Sequence, residues 1–89
     1  MKAQLINTYG DVKSVKPKNN NTFSLKELQG YVNGYIQILK TRDDRFMIVN
    51  EEAKINNLPY NEIATSLYVY GTHDVVVGDV LVTDKELIS

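Results

Sequence analysis

The residue types able to do chemistry gather at two places in the sequence. In Val49-Asn50-Glu51-Glu52-Ala53-Lys54, an amide and two adjacent carboxylates are followed by an ammonium group. Paired carboxylates do acid–base work when their surroundings force their pKa values apart, or they hold a divalent cation together with other oxygens. Adjacent residues on an extended chain point to opposite sides, so Glu51 and Glu52 are not expected to converge on one atom. The preferred expectation is a polar bend leaving a strand. Asn50 closes an Asx-type turn, both glutamates face water, and Pro59 fixes the approach to the next helix. The second place is His73-Asp74, an order that suggests an oriented general base. Neighbouring side chains in a loop seldom form such a pair, and no positioned nucleophile accompanies it. A single histidine and no cysteine argue against a zinc site and exclude thiolate chemistry, disulfides and iron–sulfur ligation. No catalytic residue, metal ligand or cofactor is therefore expected.

Binding is the better-supported alternative. Six tyrosines against two phenylalanines are the compositional oddity, and tyrosine is enriched at interfaces because it buries a ring while its hydroxyl stays wet. Tyr60 follows Pro59 in the bend, and Tyr68 and Tyr70 end the second predicted helix. The expected binding surface is an exposed tyrosine cluster rimmed by Asn50, Glu51 and Asn61, with Glu52, Lys54 and Pro59 beside it. The competing expectation is that these rings only cover the edges of a small core. Nucleic acid is a poor partner for a chain of formal charge −1, whose one basic cluster, Lys13, Lys16 and Lys18, has no stacking aromatic inside it.

The elements that must position these residues read as one small domain, residues 1–89, of α+β class. A small mixed or antiparallel sheet with two short helices, in approximately ββαββαβ order, is predicted. An N-terminal hairpin covers 3–16 around Gly10-Asp11. Phe23-Ser24-Leu25-Lys26-Glu27-Leu28 carries a capping box and a hydrophobic staple, so a helix starts at Leu25. It presents Leu25, Leu28, Tyr31 and Val32 on one face and ends at Asn33-Gly34. Residues 35–40 and 45–49 form a second hairpin, with the apolar run 45–49 expected at the centre of the sheet. Asn61 caps a second helix with Ile63, Ala64, Leu67 and at its end Tyr68 inward, stopping at Gly71. A valine-rich run, 74–83, ends the sheet with a bulge or tight turn at Gly78-Asp79. The N-terminus lacks the apolar run of a signal peptide and no segment suits a membrane span, so a soluble cytoplasmic protein is expected.

Three blocks of the sequence together resemble a small family of unknown function, number 3846, common in phages, plasmids and their bacterial hosts. They are residues 28–36 (LQGYVNGYI), residues 49–65 through Val49-Asn50-Glu51-Glu52-Ala53-Lys54, Leu58-Pro59-Tyr60-Asn61 and Ala64-Thr65, and residues 76–82 (VVGDVLV). The family-like core spans about 25–83. Two departures stand out: the family commonly has glycine where this chain has Ala53, and a second proline where it has Tyr60. The first suggests that the backbone at 53 holds no positive φ. The resemblance implies a setting, the accessory genes of mobile elements, and no mechanism. The expected function is a non-enzymatic accessory protein that binds a host protein or a second copy of itself, since a final valine-rich strand would have an edge to hide. The alternative is a small-molecule binder, in which Asn and Tyr side chains read a nucleotide base and Lys54 a phosphate. A small enzyme using Glu51 and Glu52 comes third.

Overall fold

The computed structural model describes residues 3–67 and 75–88. Strands β1 (Ala3–Ile6) and β2 (Val12–Val15) form the N-terminal hairpin, with Ala3 opposite Val15 and Ile6 opposite Val12. Its turn is organised by Asn7, whose side-chain oxygen accepts from the amides of Tyr9 and Asp11, both at 2.9 Å. Gly10 takes the positive φ of 90° that the turn requires and that costs a glycine little.

Helix α1 (Leu25–Val32) begins as its sequence dictates. The Ser24 hydroxyl accepts from the Glu27 amide at 3.1 Å, and the Glu27 carboxylate accepts from the Ser24 amide at 3.0 Å. The second Glu27 oxygen takes the Lys18 amide at 3.0 Å, so the same carboxylate fastens the preceding loop. At the other end Asn33 is left-handed, φ 63°, and the Gly34 amide donates to the Gln29 carbonyl at 3.2 Å. Leu28 and Val32 are buried, whereas Leu25 is 58% exposed. Leu25 therefore leaves the predicted stripe: a side chain in the first helical position lies over the turn before the helix, away from the sheet beneath its middle.

The second hairpin pairs β3 (Ile36–Lys40) with β4 (Phe46–Asn50). Helix α2 (Glu62–Leu67) follows, then β5 (Val80–Thr83) and a 3-10 turn at Lys85–Leu87 that the sequence did not signal. The strands of the sheet pair antiparallel, in the order β2-β1-β5-β4-β3. The predicted α+β class stands, but the sheet's centre moves. The final strand β5, all four residues of which are buried, lies between the two hairpins, and β4 is one place out. The valine-rich strand therefore has no edge to hide, and among the described residues the open edges are β2 and β3. Gly78, φ 82°, is a bend ahead of β5, separating it from a one-residue bridge between Tyr60 and Val77.

Both faces of the sheet are covered. On one, Phe23, Leu28 and Val32 pack against Ala3, Ile48 and Leu81, and the rings of Phe23 and Tyr31 meet edge to face at 6.0 Å. On the other, Ala64, Ile63 and Leu67 of α2 pack with Val76 against Ile6, Met47, Val49, Val80 and Val82. The predicted inward stripe of α2 holds over these residues. The stop at Gly71 lies outside the described residues, as do Tyr68, Tyr70 and the His73-Asp74 pair.

The capping box carries a pH-dependent share of this stability. The backbone amides of Ser24 and then Lys18 hold the Glu27 pKa below its ordinary value of 4.5. A carboxyl whose pKa is depressed on folding stabilises fully above its unfolded pKa and loses that contribution as pH falls through the folded value. Ser24→Ala is expected to cost about 1 kcal/mol at neutral pH. The gap in melting temperature between wild type and Glu27→Ala should be widest at neutral pH and close as the pH drops below the ordinary glutamate range, checked by thermal unfolding at a series of pH values.

Candidate binding surfaces around the 50–61 elbow

Strand β4 ends at Asn50, which is buried. Its side-chain oxygen accepts the Glu52 amide at 2.8 Å, forming the expected Asx turn. Its nitrogen donates to the carbonyls of Val32 at 3.0 Å and Asn33 at 3.4 Å. One carboxamide thus satisfies orphan carbonyls at the C-terminal end of α1 and starts the elbow. The close approach depends on Gly34, where a Cβ would lie 2.8 Å from the Asn50 nitrogen. Beyond it the chain winds through successive turns, Asn56 amide to Glu52 carbonyl at 2.9 Å and Leu58 amide to Ala53 carbonyl at 3.1 Å. The positive φ of this elbow falls on Asn57, at 53°. Ala53 is buried and has none, so a Cβ is tolerated there.

Glu51 and Glu52 are both exposed and diverge. Glu51 lines a cleft of about 160 Å³ in which Leu39, buried Val49 and Val76, exposed Lys54 and Ile55 also take part. Glu52 lines a second, polar hollow of about 280 Å³ with Gln29, Asn33, Tyr35 and Asn56. Lys54 therefore shares a cleft with Glu51, Gln37 and Asn50, while Gln29, Asn33, Asn56 and Tyr35 gather with Glu52. Of the groups expected to read a nucleotide, Lys54 and Asn50 line one cleft, Tyr35 lines the other, and Tyr68 and Tyr70 lie outside the described residues. Among the described residues no three His, Cys, Asp or Glu side chains are placed to hold a metal ion.

Asn61 corrects the expected rim. It is fully buried, with its nitrogen donating to the Ile6 carbonyl at 3.0 Å and the Gly78 carbonyl at 2.9 Å, and its oxygen capping α2 through the Ala64 amide at 3.1 Å. Asn50 and Asn61 thus face inward, because buried backbone groups with no ladder partner need a side chain able both to donate and to accept. Pro59 is exposed and its carbonyl takes the Gly78 amide at 2.7 Å. Tyr60 is half exposed and lines neither cleft. Sequence reading missed Ile55, 78% exposed, although an isoleucine inside the polar run Glu51–Asn57 was the available signal. It also missed the roles of Gln29, Asn33, Gln37 and Asn56, whose neighbours come from distant parts of the chain.

Away from the elbow, the charges of the β3–β4 turn are paired. Asp44 bridges Lys40 at 3.0 Å and Lys85 at 2.9 Å, and hydrogen bonds from Lys85 and then Lys40 hold its pKa below the usual aspartate value.

These features define a small α+β domain: a five-stranded antiparallel sheet with one helix on each face, whose irregular elbow opens to either side of β4. The chain belongs to the family described as Domain of unknown function (DUF3846), whose model matches residues 1–87, and so takes in the N-terminal hairpin as well as the core. No curated protein and no solved structure matches it. The three blocks that carry the resemblance meet through two asparagines: Asn50 ties the second block to the first at Val32, Asn33 and Gly34, and Asn61 ties it to the third at Gly78. Among the described residues, no helix is long and apolar enough to cross a membrane.

Proposed function

We propose that the protein is a non-enzymatic accessory protein of phage or mobile-element type, acting in the cytoplasm of a bacterial host by binding a host protein at the cleft beside the elbow. The observation that carries this reading is the combination of Ile55, 78% exposed on a turn, with an adjoining cleft of about 160 Å³. A volume near 150 Å³ accommodates a benzene-sized group, so the cleft suits one bulky apolar side chain and is small for a cofactor, whose pockets run from about 300 Å³ upward. Glu51 and Lys54 at its rim supply both charges for orienting a partner's polar backbone. The divergence of Glu51 and Glu52 speaks against shared acid–base work.

Interface anchors of this kind lose at least about 1–2 kcal/mol on disruption. Wild-type protein should therefore retain a stoichiometric partner from host lysate that Ile55→Asp loses, while Glu51→Gln combined with Glu52→Gln changes affinity only. Retention unaffected by Ile55→Asp would sink the reading. A second reading, a small-molecule binder, is favoured by the amide-rich hollow around Gln29, Asn33, Asn56 and Tyr35. It predicts a thermal shift of several degrees with a nucleotide or another flat polar ligand, abolished by Asn56→Leu.

A further inference from the structure

We infer that the open edge of β3 is a homodimer interface, in which two copies of the chain pair antiparallel about Gln37. The inference goes beyond the partner cleft and requires no other protein.

Backbone geometry supplies the first argument. At the two ends of the β3–β4 ladder the Glu51 amide donates to the Tyr35 carbonyl at 2.8 Å, and the Thr41 amide donates to the Arg45 carbonyl at 3.0 Å. In an antiparallel pair such bonded residues alternate, so residues 35, 37, 39 and 41 turn their amides and carbonyls toward β4. Those of Ile36 and Ile38 point outward, and among the described residues no strand pairs with them. Side-chain exposure agrees: Gln37 is exposed and Ile38 is 45% exposed.

The edges differ in how they are guarded. Natural sheets blunt an open edge with lysine, proline or a bulge. The opposite edge strand, β2, has Lys13 within it and Lys16-Pro17 directly after it. Strand β3 carries its one lysine, Lys40, at its far end, and over Tyr35-Ile36-Gln37-Ile38-Leu39 there is no charge, proline or glycine.

This run is also nearly a palindrome in chemical type. Pairing two copies about Gln37 sets each Ile36 opposite Ile38 of the second copy, the two residues whose backbone groups are available to exchange hydrogen bonds. Tyr35 then falls opposite Leu39, and Gln37 opposite itself. Every cross-strand pair is apolar with apolar or amide with amide, the combinations that stabilise a sheet. Shifting the two-fold axis to Ile38 would instead set Ile36 against Lys40 and Tyr35 against Thr41. The antiparallel sense also brings the end of each β3 that carries exposed Arg42 to the Glu51 and Glu52 end of the other.

The chain has no cysteine, which permits a direct test. In this register the Gln37 residues form a non-hydrogen-bonded pair with Cα atoms about 4.5 Å apart, within disulfide range. Gln37→Cys should oxidise to a covalent dimer. Ile38→Cys, with its two cysteines diagonal to one another at roughly 7–8 Å, should not. By sedimentation equilibrium the wild type should dimerise reversibly, with Ile38→Lys weakening association about tenfold or more and Ile55→Asp leaving it unchanged. A wild type that stays monomeric at high concentration overturns the inference. So does a dimer that forms the Ile38→Cys crosslink in preference to the Gln37→Cys one, or that is lost on Ile55→Asp, which would put the interface on the elbow.

Discussion

Replacing Asn61 by alanine should destabilise the protein by about 3–5 kcal/mol. Loss of an N-cap costs about 1 kcal/mol, and each buried acceptor left without a donor adds roughly 1–3 kcal/mol. Here the cap bond to Ala64 is lost together with the donors to the Ile6 and Gly78 carbonyls. A domain of this length has about 4–13 kcal/mol in total, so a single side chain controls a large share. The reason is its position: Asn61 joins the end of β1, the start of α2 and the bend before β5. Asn61→Asp separates the contributions. Aspartate is as good an N-cap as asparagine, but it brings no donor and sets a carboxylate against two carbonyl oxygens. Urea unfolding should place Asn61→Asp at least as low as Asn61→Ala. If aspartate restores most of the loss, the cap alone matters and the two carbonyl bonds contribute little.

How far the fold could be read from sequence follows from the range of each interaction. The start of α1 was legible because its determinants, Ser24 and Glu27, lie three residues apart and bond to one another's backbone. Glu51 and Glu52 line different clefts although they sit in the Asx turn after β4 and not on the extended chain from which their divergence was expected. Strand order was not legible. Phe46-Met47-Ile48-Val49 and Val80-Leu81-Val82 carry the same mark of a strand buried on both faces, and nothing local says which lies at the centre. Only the arrival of the β1–β2 hairpin on the far side of β5 decides it.

The asparagines show the same limit at the candidate site. By type, Asn50 and Asn61 belong on a surface, and the sequence placed them at the rim of a tyrosine cluster. Both are interior because the carbonyls that need them come from elsewhere, Val32 eighteen residues before Asn50 and Ile6 fifty-five before Asn61. Their positions also show what the three blocks behind the family resemblance hold in place. Those blocks contain the two asparagines together with the glycines at 34 and 78 that let a neighbour approach closely, Asn50 in one case and Leu58 in the other. They describe how the elbow is held and also supply most of the residues that line its clefts, whereas Ile55 and Asn56 lie in the gap within the second block.

The interlock at Gly34 gives the second large expected effect. Gly34 does not sit in the left-handed region, so alanine is acceptable to the backbone and would by itself be neutral or stabilising by about 0.4–1 kcal/mol. Space decides otherwise: a Cβ 2.8 Å from the Asn50 nitrogen forces that amide to turn, breaking its bonds to Val32 and Asn33. Gly34→Ala should therefore cost about 2–3 kcal/mol, close to the cost of Asn50→Ala, because both leave the same buried carbonyl unpaired. The two substitutions should then be strongly non-additive. Once Asn50 is alanine, the obstruction is gone, and Gly34→Ala should cost nothing or restore a little stability, a coupling of about 2 kcal/mol in a double-mutant cycle. Denaturant unfolding of the four proteins measures it. Additive losses would mean that position 34 demands glycine for a reason unconnected with Asn50. Strong coupling would identify this contact as what fixes the elbow against α1, and with it the angle at which Ile55 and the adjoining cleft are offered to a partner.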